Sequence, residues 1–386
     1  MKIKVKPQDF IVEEICDYQL TNRGEYAIYQ LNKESWDTFD LLDYLSRKYH
    51  LKNIGRAGIK DRYSHSIQYL SIKHGPKRDI QEKNFTLSYL GQSQAPITLN
   101  NLLGNKFTIT IRDLAKPEIE YLKVNLEQVK KYGIINYYDE QRMGSARAHK
   151  GFIAEKLVKK HYNGALKLYL ATPSKYDDSK MRKLKKHILN NWGNWQKCLL
   201  TDFDYSQLRY PLLYLNNHPK NFKGAIKTIR KDLLEMFINA YQAYLWNETV
   251  KELVKSRKID YFKVNYGFGE LYFYEEIDQT DYDYLSSLDI QAPSYKAKFT
   301  DHKIKELMDA VLQRDNLSLS KLKLDLRIKG LFFKPYARKV LMHIQDLKLL
   351  TIDQDDLYPN QYKFTLSFIL DKGSYATILL KRISHL

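Results

Sequence analysis

Residues 58–68 read GIKDRYSHSIQ and set Lys60, Asp61 and Arg62 side by side behind a glycine. A turn has use for the glycine and the aspartate but not for two flanking cations. A carboxylate between positive charges is one kept ionised, because a nearby cation favours its charged form. Such a group can serve as a nucleophile or as a general base. Other blocks mix the same residue types. KVKPQDFIVEE opens the chain with Lys4, Pro7, Asp9, Phe10 and Glu14, and NYYDEQRMGS, residues 136–145, gathers polar and aromatic groups just after a helix-stopping glycine. LGNKFTITIR and DKGSYATILLKR each join a glycine-containing loop to a strand or a helix.

The chain of 386 residues carries 63 Lys and Arg against 45 Asp and Glu, a formal net charge of +18. Its isoelectric point is about 9.4. Such an excess repels itself in a compact state and points to a polyanionic partner, nucleic acid first and a membrane surface second. No apolar run reaches the length of a spanning helix, and the opening MKIKVKPQDF lacks the apolar stretch of a secretory leader. The expectation is a soluble, cytoplasmic protein. Two cysteines, Cys16 and Cys198, are too few for a disulfide framework or a cysteine zinc cluster. The 31 tyrosines and 16 phenylalanines are consistent with stacking on RNA bases, although most such rings belong in a core. The sequence holds no Gly-Lys-Ser/Thr phosphate loop, no dinucleotide fingerprint and no zinc-deaminase pattern. Asp353, Asp355 and Asp356 lack the glycine and closing glutamate of a calcium loop and read as a solvated turn before Pro359. Nucleotide hydrolysis, metal-centred cleavage and methyl transfer therefore find no support in the sequence.

The elements that must position these residues follow from periodicity. DFIVEEI, GEYAIYQLNK, SIQYLSIK, FTLSYLG and NKFTITIRDL read as strands. WDTFDLLDYLSRKYHL reads as an amphipathic helix with Phe39, Leu41, Leu42 and Leu45 on its apolar side. PEIEYLKVNLEQVKKYG is a second helix, with Pro117 at its start and Gly133 at its stop. From about Lys150 the chain turns helical and lysine-rich, in AEKLVKKHYNGALKLYL, DSKMRKLKKHILNNWGNW and KDLLEMFINAYQAYLWNETVKELVK. The last of these is apolar on one face through Leu234, Phe237, Ile238, Tyr241 and Leu245, and places Trp246 and Asn247 as packing residues. FGELYFY, KLKLDLRIKG and YKFTLSFIL read as strands, and GSYATILLKRI as a closing helix. Strands with segregated helices give an α+β fold, and the return to strand patterns at the end suggests a middle segment inserted into one sheet domain.

The blocks AGIKDRYSHSIQ, NYYDEQRMGS and GSYATILL, with KVKPQDFIVEE and LGNKFTITIR in the same order, resemble the TruD family of pseudouridine synthases. The middle, NFKGAIKTIRKDLLEMFINAYQAYLWN, is similar to that family's inserted domain in its longer archaeal and eukaryotic-like form. The resemblance implies a pseudouridine-synthase catalytic domain with a mixed, largely antiparallel sheet, formed by residues 1–150 and 317–386. It also implies a mostly helical α+β insert over residues 151–316, closing over an RNA cleft. The implied activity is isomerisation of uridine to pseudouridine in tRNA, by default position 13 of the D-arm, with no cofactor and no obligate protein partner. The alternatives are a synthase acting on other uridines and a non-catalytic RNA-binding protein on the same fold. Residue by residue, the resemblance makes Asp61 the catalytic carboxylate and Lys4 its electrostatic partner. It makes Asn136 a positioning residue and Tyr138 the ring that stacks on the target base. Gln141 and Arg142 match the Gln-Arg of the second motif, and Gln68 completes the set. His65 and His149 receive no role. Asp139 and Met143 stand where many members have glycine and phenylalanine, a departure that bears on loop shape. Lys381 and Arg382 stand where some have Arg-Glu, which bears on phosphate contacts.

Overall fold

The computed structural model describes residues 1–146, 150–174, 177–199 and 206–384. The chain divides into two compact units, one of residues 1–134 and 342–384 and one built on residues 135–341. The first holds β1 (Phe10–Cys16), β2 (Tyr26–Glu34), α1 (Thr38–Tyr49), β3 (Ile54–Arg56), β4 (His65–Lys73), β5 (Ile80–Glu82), β6 (Phe85–Ser93), β7 (Leu102–Leu114) and α2 (Lys116–Tyr132). The chain leaves this unit at β8 (Ile134–Ile135). The second unit runs through α3 (Ile153–Val158), α4 (Tyr162–Ala171), α5 (Ser179–Asn190), α6 (Trp195–Leu199), α7 (Ser206–Asn217), α8 (Phe222–Lys227) and α9 (Lys231–Ser256). It continues with β9 (Tyr261–Tyr266), β10 (Gly269–Tyr274), α10 (Gln279–Ser287), β11 (Asp289–Gln291), α11 (His302–Gln313) and β12 (Ala337–Lys339). From β13 (Leu341–Met342) the chain returns to the first unit as β14 (Gln345–Gln354), β15 (Tyr362–Asp371) and α12 (Ala376–Ser384). The fold is α+β, and among the described residues no helix is long and apolar enough to cross a membrane.

In the first unit the strands follow the order β14-β15-β7-β1-β4-β2-β6-β5, with β3 also paired to β4. Only β1 and β4 run parallel, with Val12 opposite Ser66 and Glu13 opposite Ile67, so the sheet is mixed and largely antiparallel. Alternation buries Phe10 and Val12 of β1, Phe107, Ile109 and Ile111 of β7, and Phe364, Leu366 and Phe368 of β15. The Phe107 and Phe368 rings stack at 5.3 Å. The same phase turns Glu14 of β1, Lys33 of β2 and Gln68 of β4 inward, three polar groups that the site uses. α1 starts at Asp37, whose carboxylate accepts the Phe39 N–H at 2.8 Å. It buries Thr38, Leu41 and Leu45 but leaves Phe39 exposed beneath the Arg56 guanidinium, against the expected apolar face. α2 stops at Gly133, whose φ of +70° few other residues tolerate.

Two sequence expectations fail in the structure, and the position of Arg382, open in the sequence, is defined. The acidic segment is not a solvated turn. Arg112 is buried and donates through Nε to both oxygens of Asp9 at 2.9 Å and through Nη1 to Asp355 and Asp356 at 2.8 Å each. A buried guanidinium requires such partners, and carboxylates 243 and 244 residues away supply them. Arg382, whose departure from the family pattern left phosphate contacts there open, does not lie at the surface. It is fully buried and donates to Asn125 and Gln128 of α2 at 3.1 and 2.8 Å. KLKLDLRIKG forms no strand. Arg327 and Gly330 adopt positive φ, and Leu322 and Leu326 are buried four residues apart rather than two.

In the second unit, AEKLVKKHYNGALKLYL breaks into α3 and α4 at Lys160, which has φ +57°. α9 is buried on more than the one expected face, because Gln242, Asn247, Glu248, Thr249 and Lys251 are enclosed along with its apolar residues. Along this enclosed central stretch most buried polar groups find a partner, although Gln242 Oε1 has none among the described residues. Gln242 donates to the carbonyl of Pro293 at 2.8 Å, and Trp246 donates its indole N–H to that of Ile290 at 3.2 Å.

Candidate active site

The first cluster is built around the loop that carries Asp61. Thr38, the first residue of α1, accepts the Lys60 N–H at 2.9 Å, and its hydroxyl lies 3.2 Å from Lys60 O and 3.1 Å from Gln68 Oε1. Gln68 is fully buried and donates to Gly58 O at 3.2 Å, so it braces the loop from β4. Ser64 donates its hydroxyl to Asp61 O at 2.9 Å, and Lys33 reaches the same oxygen at 3.4 Å. The loop backbone is thereby tied to α1, β2 and β4, while the Asp61 side chain remains 59 % exposed. A carboxylate open to solvent on a pinned backbone is suited to meet a substrate without reorganising.

The flanking cations do not do what their spacing suggests. Lys60 turns inward to Glu14 at 2.7 Å, with both side chains buried, and Arg62 donates to Ser35 O at 3.3 Å. The cation on Asp61 is Lys4, whose ammonium lies 3.1 Å from Oδ2. Lys4 is held in place on its own account. Its φ is +56°, its ammonium sits 4.1 Å above the Phe10 ring, and the segment before it is clamped where Lys2 and Arg112 exchange backbone hydrogen bonds at 2.8 Å. Gly58 is needed because a Cβ there would stand 2.5 Å from Glu14 Oε1 and 3.0 Å from Lys60 Nζ.

The second cluster lies in the other unit and centres on Tyr138. Its N–H donates to Asn247 Oδ1 at 2.9 Å, and Asn247 Nδ2 donates to its carbonyl at 2.8 Å. Arg338 lies 4.0 Å over the Tyr138 ring, Trp246 meets it edge-on at 5.5 Å, and its hydroxyl donates to Tyr336 at 3.0 Å. The ring is 4 % exposed. Arg338 also donates through Nε to Asn136 O at 2.8 Å and through Nη2 to Asn136 Oδ1 at 2.6 Å. Asn136 Nδ2 donates to Lys339 O at 3.3 Å, so its side chain is committed to shaping this loop. Gln141 and Arg142 occupy an exposed helical turn, and neither side chain has a hydrogen-bond partner among the described residues. Met143 is buried and Asp139 nearly so. His149 lies outside the described residues.

Sequence reasoning gave no role to Lys33, Thr38 or Arg338, and it assigned Asn247 to packing. For Lys33 the signal was present, since it shares the inward phase of Tyr29 and Leu31. Arg338 carries no local signature, because its partners lie about 200 residues earlier in the chain.

The profile of the family tRNA pseudouridine synthase D (TruD) matches residues 1–266 and 275–383. "Probable tRNA pseudouridine synthase D 1" of Methanococcus maripaludis is 35 % identical over 399 residues, covering 100 % of both chains. The tRNA pseudouridine synthase D of Aquifex aeolicus is 30 % identical over 391 residues, covering 99 % of this chain and 98 % of that one. A crystal structure of a Methanosarcina mazei protein assigned to TruD superposes with a TM-score of 0.76 at 24 % identity, covering 100 % of this chain and 93 % of that one. These matches make the chain a pseudouridine synthase, an isomerase. Within that class it belongs to the tRNA pseudouridine synthase D (TruD) family.

Proposed function

We propose that this protein converts uridine to pseudouridine in tRNA, at position 13 of the D-arm, with Asp61 as its catalytic group. The observation that carries the assignment to Asp61 is its exposed carboxylate on a loop fixed at Gly58, Lys60 and Asp61, with one cation, Lys4, at 3.1 Å. The reaction breaks the C1′–N1 bond, turns the uracil and joins C1′ to C5. The C5 proton leaves to solvent and N1 gains one, so atoms balance without an oxidant or a nucleotide. Asp61 attacks the sugar carbon, removes a sugar proton to give a glycal, or adds to the base, and in each role the Lys4 ammonium lies 3.1 Å from its carboxylate. Tyr138 holds the detached uracil by stacking, which requires its covered ring to be uncovered in the RNA complex. Asn136 and Gln68 position the two loops, and Gln141 and Arg142 contact the RNA. In this reading residues 1–150 and 317–386 form the catalytic domain and 151–316 the insert, and the protein works in the cytoplasm without an obligate protein partner.

The test compares wild type with Asp61→Ala on unmodified tRNA, mapping pseudouridine by carbodiimide labelling and primer extension. The reading holds if wild type modifies the D-arm while the variant binds tRNA and makes no product. A product elsewhere overturns the position and keeps the chemistry. Equal binding with no product from either protein leaves an RNA-binding protein on a synthase fold.

A further inference from the structure

Lys33 is a fully buried lysine without a carboxylate partner at ion-pair distance among the described residues. It sits on β2 between Ser66 of β4 and Phe85 of β6, in the inward phase shared by Tyr29 and Leu31. Its ammonium donates to two backbone carbonyls, Trp36 at 2.7 Å and Asp61 at 3.4 Å. The charged groups that act on it are Asp37 at the start of α1, Lys60 and Asp61 on the loop, and Glu14 on β1. Glu14 is already neutralised by Lys60 at 2.7 Å, and Asp37 caps α1. A fold has no use for a desolvated, unpaired ammonium as packing, because burial disfavours its charged form.

We propose that Lys33 is a positioning residue for the isomerisation: it fixes the Asp61 backbone from the sheet side and holds a buried positive charge behind that carboxylate. Lys4, 22 % exposed, meets the Asp61 carboxylate directly at 3.1 Å, where RNA phosphates can screen its charge. Lys33 is fully enclosed, so its charge stays near the loop whatever the RNA does. Burial pushes its ammonium down to about 8, with Lys60 adding to the fall and Asp37, Asp61 and Glu14 opposing it. Above that pH the neutral amine still has two N–H groups for its two carbonyls, so the loop stays in place while the charge is lost. The geometry therefore separates charge from scaffolding within one side chain. This inference rests on Asp61 being the catalytic group.

The experiment measures single-turnover pseudouridine formation at saturating unmodified tRNA from about pH 6.5 to about pH 9.5 for wild type, Lys33→Met and Lys33→Arg, with affinity by filter binding and folding by circular dichroism. Wild type is expected to lose rate along one limb near the pH at which Lys33 titrates. Lys33→Met is expected to be about 10- to 100-fold slower at neutral pH, with affinity within about twofold of wild type and no limb. Lys33→Arg, which stays charged throughout, is expected to recover rate and shift the limb upward. A wild-type rate flat across the range overturns the inference even if neither variant folds. So does a folded Lys33→Met with the wild-type rate, or one whose defect is entirely in affinity. Asp61→Ala, run alongside, separates the two readings. If it is active, the assignment of Asp61 fails; if it is inactive while Lys33→Met matches wild type, only the role of Lys33 fails.

Discussion

One side chain holds both polar backbone groups of Tyr138: Asn247 accepts its N–H at 2.9 Å and donates to its carbonyl at 2.8 Å, from a position 109 residues along the chain. An amide does this in place of a strand, and it fixes the direction of the Tyr138 side chain from the enclosed central stretch of α9. Asn247→Ala strands a buried donor and a buried acceptor, a loss of about 1–3 kcal/mol for each group left unpaired. The expected result is a lower melting temperature and a single-turnover rate reduced more than tRNA affinity. Asn247→Asp keeps the acceptor but buries an unpaired carboxylate against the Tyr138 carbonyl, so it should be no better than Asn247→Ala. A folded Asn247→Ala with the wild-type rate would show that Tyr138 needs no such support.

Arg338 performs two tasks that only a planar fork can combine. It spans the carbonyl and side-chain oxygens of Asn136 with two nitrogens and lays its face on the Tyr138 ring at 4.0 Å. Lysine supplies the charge without the fork or the plane. Arg338→Lys is therefore expected to behave like Arg338→Met in single-turnover rate, about tenfold or more below wild type. Full activity in the lysine variant would show that charge alone suffices.

The Lys60–Glu14 pair makes a prediction that runs against substitution scales. Both side chains are buried and 2.7 Å apart, and Glu14 also accepts the Tyr69 N–H at 3.1 Å. Lys60→Met leaves Glu14 charged and unpaired, a loss of about 3–5 kcal/mol, whereas the double variant Lys60→Met/Glu14→Leu removes both charges and should regain much of it. Gly58→Ala should resemble the single variant, since its Cβ would enter the space of Glu14 Oε1. Thermal melts of the four proteins at neutral pH check the order. Equal melting temperatures for Lys60→Met and wild type would exclude the pair as a support of the Asp61 loop.

The legible part of this molecule was its alternation and its motif text. Phe10, Val12, Phe107 and Phe368 take the inward phase that their strands require, and Asp61 stands exposed where its block suggested chemistry. What failed to show locally was partner choice. Lys60 and Arg62 flank Asp61 in sequence, yet the loop turns Lys60 into the core and leaves Asp61, Arg62 and Tyr63 exposed, so Lys60 went to Glu14 and the cation on Asp61 came from residue 4. β14 was missed because it is an edge strand that buries little beyond Leu347, which leaves no period to read. KLKLDLRIKG has the period of a strand, and positive φ at Arg327 and Gly330 breaks it. The acidic run looked like a turn because Arg112, the residue that organises it, lies on another strand more than 200 residues away.

That arginine sets the acid behaviour of the first unit. Burial pushes the Asp355 carboxyl up, but the N–H groups of Leu357 and Asp113 and the Arg112 guanidinium outweigh it and hold the group below its usual value of 3.8. Asp356 is held well below the same value by Arg112, Lys363 and Lys6. A carboxyl lowered in the folded state contributes stability that is complete above its unfolded value and lost as pH falls through the folded one. Wild type should therefore lose stability from these groups only below about pH 4. Arg112→Met leaves buried carboxylates without their cation and should cost about 3–5 kcal/mol at neutral pH. In acid those carboxyls take up protons and need the cation less. The gap in melting temperature between wild type and Arg112→Met should thus be widest near neutrality and shrink as pH falls below about 4. A gap that stays constant with pH would mean that Arg112 supports β7 through packing and backbone geometry, with its ion pairs contributing nothing.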